Sequence, residues 1–513
     1  GDSIDLEMRI SENQQAHISH VRIYGNDRLY EEVVRRELRT KPGDLFSKDA
    51  LMRSAREIQS MGFFDPEKVN PDIQPNYEDG TVDINWPLEQ KSNDQVEFSL
   101  GWGQTGVIGR ISLKLNNFSM RNLFGKNKMH RGIMPIGDGE QLALSAQTNG
   151  SYYQSYSISY SSPWFGGRRP NAFNVGAYYS KQTDINSSYY NSSWMNSMYN
   201  YYGGYGSYNN YINNYESYLD DDKYVQLFGL SVGWGKRLRW PDDYFQLSVS
   251  LSYQRYMLRD WQYFIISNGN CNNINLGITL ARTSTDNQMF PRRGSEFMAS
   301  VTLTPPWSKF DNKDYSKLAT DRTSATYEQE QQEKYRWIEY HKWKFKARTF
   351  TALTSGQKCF VLMSRVEFGI LGSYNKDKKS PFENFYVGGD GMSGYSTGYA
   401  QETIGLRGYE NGSLTPWSAP GYAYDRFTLE LRYPFMLGNT TIYGLTFLEG
   451  GNAWYDTKKF NPFDMKRSAG VGVRIFLPMV GMMGIDWAYG FDKALSTGTK
   501  GGSQFHFILG QEF

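Results

Sequence analysis

The reactive side chains make a short inventory. Cys271 and Cys359 are the only cysteines in 513 residues, and neither sits in a CxxC pair or beside metal-ligand spacing. They read as isolated thiols; a disulfide is the alternative if the compartment is oxidising. His17 and His20 stand three apart in strand-like alternation, so they should face opposite ways and make no metal pair. No nucleophile elbow, metal set or phosphate loop occurs, so no catalytic residue, metal or cofactor is expected and the chain is read as no enzyme. Its distinctive chemistry is that of backbone groups seeking partners. The final segment, Gln504 to Phe513, puts Phe505, Phe507, Leu509 and Phe513 on one face, broken only by Gln511. Such a stripe suits a strand with lipid on that face. Lipid cannot bond N–H or C=O, so the strand must pair with neighbours.

Composition admits this reading. Mean hydropathy is -0.62, and no run of about 18 apolar residues is available for a spanning helix. A transmembrane barrel needs none, because only alternate residues meet lipid. Aromatic residues make up 16%, with 39 Tyr and 13 Trp; rings of this kind gather where lipid meets water. The net charge of +2 makes no case for a polyanion, so no nucleic-acid partner is expected. No signal peptide opens the sequence. Ile4 to Ile10 alternates like the last strand of a preceding domain, so residues 1–15 read as the end of a truncated preceding domain.

Residues 16–92 read β-α-α-β-β. Ile18 to Tyr24 alternates as a strand and stops at Gly25-Asn26. Leu29, Val33, Val34 and Leu38 recur at helical spacing, and Lys41-Pro42-Gly43-Asp44 breaks that helix. Ser47 caps a second helix with Leu51, Ala55 and Ile58 inward and Gly62 beyond its end. Lys68–Tyr77 and Thr81–Glu89 read as a hairpin.

From residue 93 to 513 helical spacing vanishes and strand follows strand. Val96, Phe98, Leu100 and Trp102 open the series, which runs through Phe228, Leu230, Val232 and Trp234 to Phe505. About 16 antiparallel strands are expected, an even number as bacterial barrels require, with lipid covering the apolar face. Short Gly- or Pro-marked connections (161–167, 240–243, 290–294, 354–356, 437–439) alternate with long ones (181–222, 306–335, 372–424), the polarity of an outer-membrane barrel with its long side out. Segment 117–139 is an exception on the short side. Segment 184–217, rich in Tyr, Asn, Ser and Gly, cannot build a core. It reads as a mobile loop, with an extracellular partner surface as the alternative, and 308–335 reads likewise.

Two motifs carry a family resemblance. The order of the first module, with Gly25-Asn26 and Met61-Gly62-Phe63-Phe64-Asp65, resembles a polypeptide-transport-associated (POTRA) domain of the BamA family. Leu406-Arg407-Gly408-Tyr409, after Phe382 to Gly389, resembles the arginine-glycine-aromatic signature in the sixth loop of BamA-type insertases. Arg467 to Arg474, Pro478 and Ile485 to Phe491 are similar to that family's penultimate strands. Residues 390–404 look inserted, and loop 181–222 is unusually long for the family. The resemblance implies that the loop folds into the lumen and that Arg407, with Gly408 and Tyr409, meets acidic residues on the inner wall. Glu430, which alternates with Leu429 and Leu431, and Glu449 are the candidates.

The resemblance further implies an outer-membrane insertase of a Gram-negative bacterium, with a periplasmic N-terminal domain. Its expected partners are unfolded outer-membrane proteins, accessory assembly lipoproteins on the periplasmic side, outer-membrane lipid, and extracellular partners reached by the long loops. Substrates would be templated at a lateral seam between the first strand, Gln95 to Gly103, and the last, Gln504 to Phe513. Val96, Phe98, Leu100, Gly101 and Gly103 line one side of that seam; Phe505, Phe507, Leu509, Gly510 and Phe513 line the other. Gly101, Gly103 and Gly510 would weaken strand packing there. The rival reading is a two-partner secretion pore, which would share both motifs and carry a plug helix.

Overall fold

The computed structural model describes residues 15–91, 94–103, 106–124, 135–150, 152–167, 170–185, 219–261, 266–287, 289–311, 313–321, 323–380, 382–389, 402–416, 419–438, 440–477 and 481–509. Residues 1–14, Gly510 and Phe513, with the roles expected of them, lie outside the described residues, as does most of 184–217. The chain divides into two compact units, one of residues 1–101, 109–147 and 157–163 and the other of the remainder.

The first unit opens with β1 (His17–Tyr24), α1 (Glu31–Arg35), α2 (Lys48–Ser60), β2 (Asp72–Asn76) and β3 (Thr81–Pro87). β3 is central, parallel to β1 and antiparallel to β2. Alternation in β3 buries Val82, Ile84 and Trp86 against Val33 and Val34 of α1 and Leu51, Ala55 and Ile58 of α2. The Ser47 side chain accepts from Ala50 N–H and starts α2. Two local expectations fail. β2 begins at Asp72 rather than Lys68, because Pro66–Lys68 turns as a short 3₁₀ helix capped by Asp65. A register shift between Ile18 and Val21 breaks the alternation of β1, so His17 and His20 are both exposed instead of opposed. They have separate partners, Gly43 O and Asp83.

The same unit holds the larger part of β4 (Gln95–Gly103), β5 (Gly106–Phe118), β6 (Glu140–Asn149) and β7 (Tyr153–Ser162), in spatial order β7-β6-β5-β4. Its exceptional connection has a structural reason. After β5 comes α3 (Met120–Phe124), and this stretch grips the helical module. Tyr30 OH donates to Asn122 Oδ1 at 2.9 Å, and Asn117 Nδ2 donates to Arg28 O at 2.6 Å. Arg121 lies over the Tyr30 ring at 4.3 Å and pairs with Glu32 and Asp138.

The second unit is built on twelve long strands: β8 (Asn171–Ile185), β9 (Leu219–Arg237), β10 (Phe245–Arg259), β11 (Gly269–Thr283), β12 (Gly294–Leu303), β13 (His341–Ala352), β14 (Val361–Gly372), and then, after a small parallel pair β15 (Phe385–Val387) and β16 (Glu402–Ile404), β17 (Ala423–Met436), β18 (Thr441–Trp454), β19 (Lys466–Leu477), β20 (Gly481–Lys493) and β21 (Lys500–Leu509). Each long strand pairs antiparallel with the next, β14 passing directly to β17. Val175, Val232, Leu251, Leu276 and Leu303 form one cross-strand row, and the first four are exposed at 39–55%. An exposed apolar band beside a buried, charged opposite face is the pattern lipid demands of a barrel-type sheet.

Some strands outrun their predicted limits. β8 and β9 pair out to Ile185 and Leu219, inside the segment read as loop. β21 starts at Lys500, where Gly501 and Gly502 hide the alternation. Segment 308–335 is also more ordered than its charge suggests: α4 (Tyr327–Tyr335) buries Gln331 and Tyr335. Tyr335 joins Cys271, Ile338, Phe382, Phe385 and Leu406 in one apolar cluster among the long connections. Both cysteines are free and buried. No helix among the described residues is long and apolar enough to cross a membrane.

Candidate functional site

Alternation aims three carboxylates at the inner face: Glu430 from β17, Glu449 from β18 and Asp486 from β20. Their flanking residues Leu429, Leu448, Ile485 and Trp487 are exposed on the outer face. Into this face runs the segment after β16. Gly389 and Leu406 exchange backbone hydrogen bonds at 3.1 and 3.0 Å, and this sets where Arg407 begins.

Arg407 meets all three acids. Nη2 donates to Glu430 Oε1 at 2.7 Å, Nη1 to Asp486 Oδ2 at 3.0 Å, and Nε to Glu449 Oε2 at 3.3 Å. Its backbone N–H adds a 2.8 Å bond to Glu449 Oε2. The guanidinium plane lies 3.5 Å from the centroid of the Phe447 ring. Every acid has a second cation: Arg432 for Glu430, Arg426 for Glu449, Arg474 for Asp486. The side chains of Arg407, Glu430, Glu449 and Asp486 are at most 1% exposed. Burial alone would lower the Arg407 guanidinium, but the Glu449, Glu430 and Asp486 carboxylates outweigh it and hold it above its ordinary range. A buried ion cluster of this kind tolerates desolvation only because nearly every lone pair is bonded.

One cation stands apart. Arg365 of β14 is 1% exposed, none of its three nitrogens has a hydrogen-bond partner among the described residues, and its nearest carboxylate is Glu367 at 3.6 Å. It lies directly opposite Arg348 in the β13–β14 register.

The next two loop residues reach the last strands. Gly408, at φ +85°, presses on Gly490 and Ser468; a Cβ there would sit 2.9 Å from Gly490 N and from Ser468 Cβ. Its N–H donates to His506 Nε2 on β21 at 2.9 Å. Tyr409 is fully buried; its hydroxyl donates to Arg467 O at 2.8 Å and accepts from Asp492 N–H at 3.3 Å, while burial pushes its phenol up to about 12.

Arg407, Gly408, Tyr409, Glu430 and Glu449 thus come together. Asp486, His506, Arg426, Arg432 and Arg474 belong to the same cluster and were missed. The signal for Asp486 and His506 was there: each is a polar residue between two apolar ones, in Ile485-Asp486-Trp487 and Phe505-His506-Phe507. Val96, Phe98, Leu100, Gly101 and Gly103 lie on β4. Phe505 and Phe507 are exposed on the outer face of β21, opposite Trp487 and Ile485, and Leu509 pairs with Met483. Of the segment read as inserted, only 402–404 is described; it pairs with β15 as β16.

A long antiparallel sheet, apolar outside and charged inside, following a small β-α-α-β-β module, defines a β-barrel-type membrane protein. Comparison with known proteins gives the family. The Omp85 superfamily domain matches residues 136–513, and a POTRA model, described as a surface antigen variable number repeat, matches residues 16–89. The chain belongs to the Omp85 superfamily, whose architecture is that of Gram-negative outer-membrane proteins of protein biogenesis and translocation. It is 23% identical over 454 residues to the outer membrane protein assembly factor BamA of Neisseria meningitidis, covering 84% of this chain and 44% of the relative. It is 29% identical over 164 residues to a putative outer membrane protein assembly factor of Treponema pallidum, covering 32% of this chain and 18% of that protein. The chain therefore spans less than half the length of these relatives. Among solved structures, BamA from Haemophilus ducreyi lacking POTRA domains 1–3 is similar in fold, with a TM-score of 0.53 at 17% identity over 96% of this chain and 84% of that one. CdiB from Escherichia coli gives 0.55 at 11% identity over 96% and 76%.

Proposed function

We propose that this chain is the central barrel of an outer-membrane protein assembly machinery, folding and inserting nascent β-barrel proteins. The observation that carries the reading is the anchoring of the Arg407–Tyr409 segment to β17, β18, β19, β20 and β21 together. A loop so placed braces the last strands from within, so that the edge of β21 can stay ordered while its far side is open. In this reading the sheet closes into a barrel in the outer membrane, with the first module, residues 16–92, in the periplasm. The closure between β4 and β21 is a weak lateral seam. An arriving strand, whose backbone groups lipid cannot satisfy, pairs with the exposed edge by β-augmentation. Partners are unfolded outer-membrane proteins, outer-membrane lipid, assembly lipoproteins on the periplasmic side and extracellular partners through the long connections.

The likeness in fold to CdiB favours a second reading, a translocation pore of the two-partner secretion type. One experiment separates the two. The protein is reconstituted in liposomes and the folding rate of an unfolded barrel substrate is followed. The assembly reading expects acceleration, lost when cysteines placed on β4 and β21 are crosslinked and regained with reductant. Conductance without any acceleration would replace it with the pore.

A further inference from the structure

On the outer face of β19 the alternate residues Ile475, Val473, Val471 and Ala469 are apolar, and the series ends on a cation, Arg467. Lipid-facing strands change character in this way where hydrocarbon gives way to headgroups. β19 starts here, after the connection 455–465. Arg467 therefore stands at the end of the sheet that carries the long connections, the external end of the barrel reading.

Val366, Phe427, Gly450 and Arg467 form one cross-strand row over β14, β17, β18 and β19. The row has a gap, because Gly450 brings no side chain. Met465 lies over it, with Sδ 3.2 Å from where a Cβ would stand. Around the gap the face sinks into a hollow of about 740 Å³, walled by Phe427, Leu429, Leu448, Met465 and Phe491. That is an ordinary size for a small-molecule site. Arg365 and Glu449 also border it, but both are buried. Arg467, with 68% of its side chain exposed, is the one open charge among the lining residues. Its guanidinium is held in place. Asp492 accepts from Nε at 3.1 Å and from Nη2 at 3.0 Å, while Nη1 has no hydrogen-bond partner among the described residues. The neighbourhood is basic: at this end of β19, β20 and β21, Lys466, Arg467, Lys493 and Lys500 stand against Asp492 alone.

A second hollow on the outer face, of about 420 Å³, lies among Ile278, Leu280, Ala299, Val301, Trp343 and Phe345. It has no such cation, because Lys344, the charged residue that borders it, bonds Glu402 at 2.9 Å. The contrast separates a place fit for a headgroup from general contact with hydrocarbon.

We propose that the hollow beside Gly450 binds one phosphorylated, multiply acylated lipid of the outer leaflet, of the lipid A type. A phosphate takes the open Nη1 edge of Arg467, and one acyl chain fills the hollow below. The proposal names the lipid that the barrel reading leaves general; it rests on that reading and not on assembly activity. A guanidinium suits phosphate because its planar fork can give parallel hydrogen bonds. Asp492 orients the fork in advance, so less side-chain freedom is lost on binding.

The test is native mass spectrometry of the whole chain, titrated with lipid A, with lipid A stripped of its phosphates, and with phosphatidylglycerol. The parent should retain one lipid A and hold the other two about tenfold more weakly. Arg467→Gln should weaken lipid A binding about tenfold, the worth of a charge-assisted hydrogen bond. Gly450→Leu, which fills the hollow and keeps the charge, should weaken it as much. Asp492→Asn removes the acid that competes with the phosphate and should bind at least as tightly as the parent. A purely structural role for the Arg467–Asp492 pair does not give that result. Ala299→Leu, filling the other hollow, should leave binding unchanged. Heat-dependent gel mobility shows which variants are folded. Parent-level binding by a folded Arg467→Gln or Gly450→Leu variant would overturn the proposal. So would equal retention of phosphatidylglycerol, a parent that retains no lipid A, or loss of the fold by both variants, which would make these positions structural. Substrate folding, measured in parallel, reports on the assembly reading alone: a protein that accelerates nothing yet holds lipid A would sink that reading and leave the lipid site standing.

Discussion

The N–H of Gly408 donates to Nε2 of His506 at 2.9 Å, joining the Arg407–Tyr409 turn of a long loop to the last described strand of the sheet. The donor is a backbone amide, so Nε2 must accept, and the proton of a neutral imidazole then sits on Nδ1. Phe505 and Phe507 on either side face outward, so His506 is the residue by which β21 reads the position of the loop. Replacing it with Ala leaves a buried amide without its acceptor, a cost of about 1–3 kcal/mol. His506→Ala should keep the sheet folded, lower its thermal midpoint, and slow substrate folding in liposomes. An unchanged folding rate in a folded variant would separate the loop from the working edge.

Arg407 is the most consequential single position. Removing it leaves Glu430, Glu449 and Asp486 each short of one partner in a fully buried site. Loss of one partner from a buried ion cluster costs on the order of 3–5 kcal/mol. Arg407→Ala should therefore destabilise strongly, and Arg407→Lys should rescue little, because an ammonium has no planar fork to span three carboxylates. Thermal unfolding followed by gel mobility checks both. Wild-type stability in the lysine variant would show that charge alone suffices.

How much of this could be read beforehand follows from what alternation encodes. Alternation places a residue on a face, so Glu430 was legible from Leu429 and Leu431. It says nothing about what meets that face from across the interior. Glu449 precedes Gly450, Gly451 and Asn452, which blur its alternation, yet it accepts from Arg407, Arg426 and Thr428. The helix α4 was illegible for a different reason: in Tyr-Glu-Gln-Glu-Gln-Gln-Glu-Lys-Tyr only Gln331 and Tyr335 face inward, which makes no apolar stripe. The connection between β11 and β12 looked like any Pro-marked turn, since the approach of its Phe290 ring to that of Tyr443 on β18, 5.2 Å between centroids, leaves no local trace.

Arg365 offers a test of opposite sign. It is a fully desolvated cation opposite Arg348, with no hydrogen bond from any of its nitrogens among the described residues. Replacing a buried ion pair by apolar residues of similar volume is often neutral or stabilising, by about 1–4 kcal/mol, and when Arg365 alone is replaced Glu367 still keeps the Lys346 ammonium at 3.2 Å. Arg365→Met is expected to match or exceed the parent in thermal midpoint. A clear loss would mean that Glu367, at 3.6 Å, depends on this guanidinium more than the geometry suggests.

Gly408 supplies the last prediction. Its φ of +85° already disfavours any side chain, and the space is occupied as well: a Cβ would lie 2.9 Å from Gly490 N, and a Cβ on Gly490 or Gly501 would lie 2.2 Å from Gly408 O. Three glycines therefore bring the loop backbone into direct contact with β20 and β21. Gly408→Ala adds conformational strain of about 1 kcal/mol or more to a contact that cannot widen without lengthening the His506 bond. The variant should lose more stability than Gly408 strain alone predicts, and the excess should vanish in a His506→Ala background, where the bond is already gone. A double-mutant cycle on thermal unfolding measures that coupling. Strict additivity would show that the glycine contact and the His506 bond hold the loop independently.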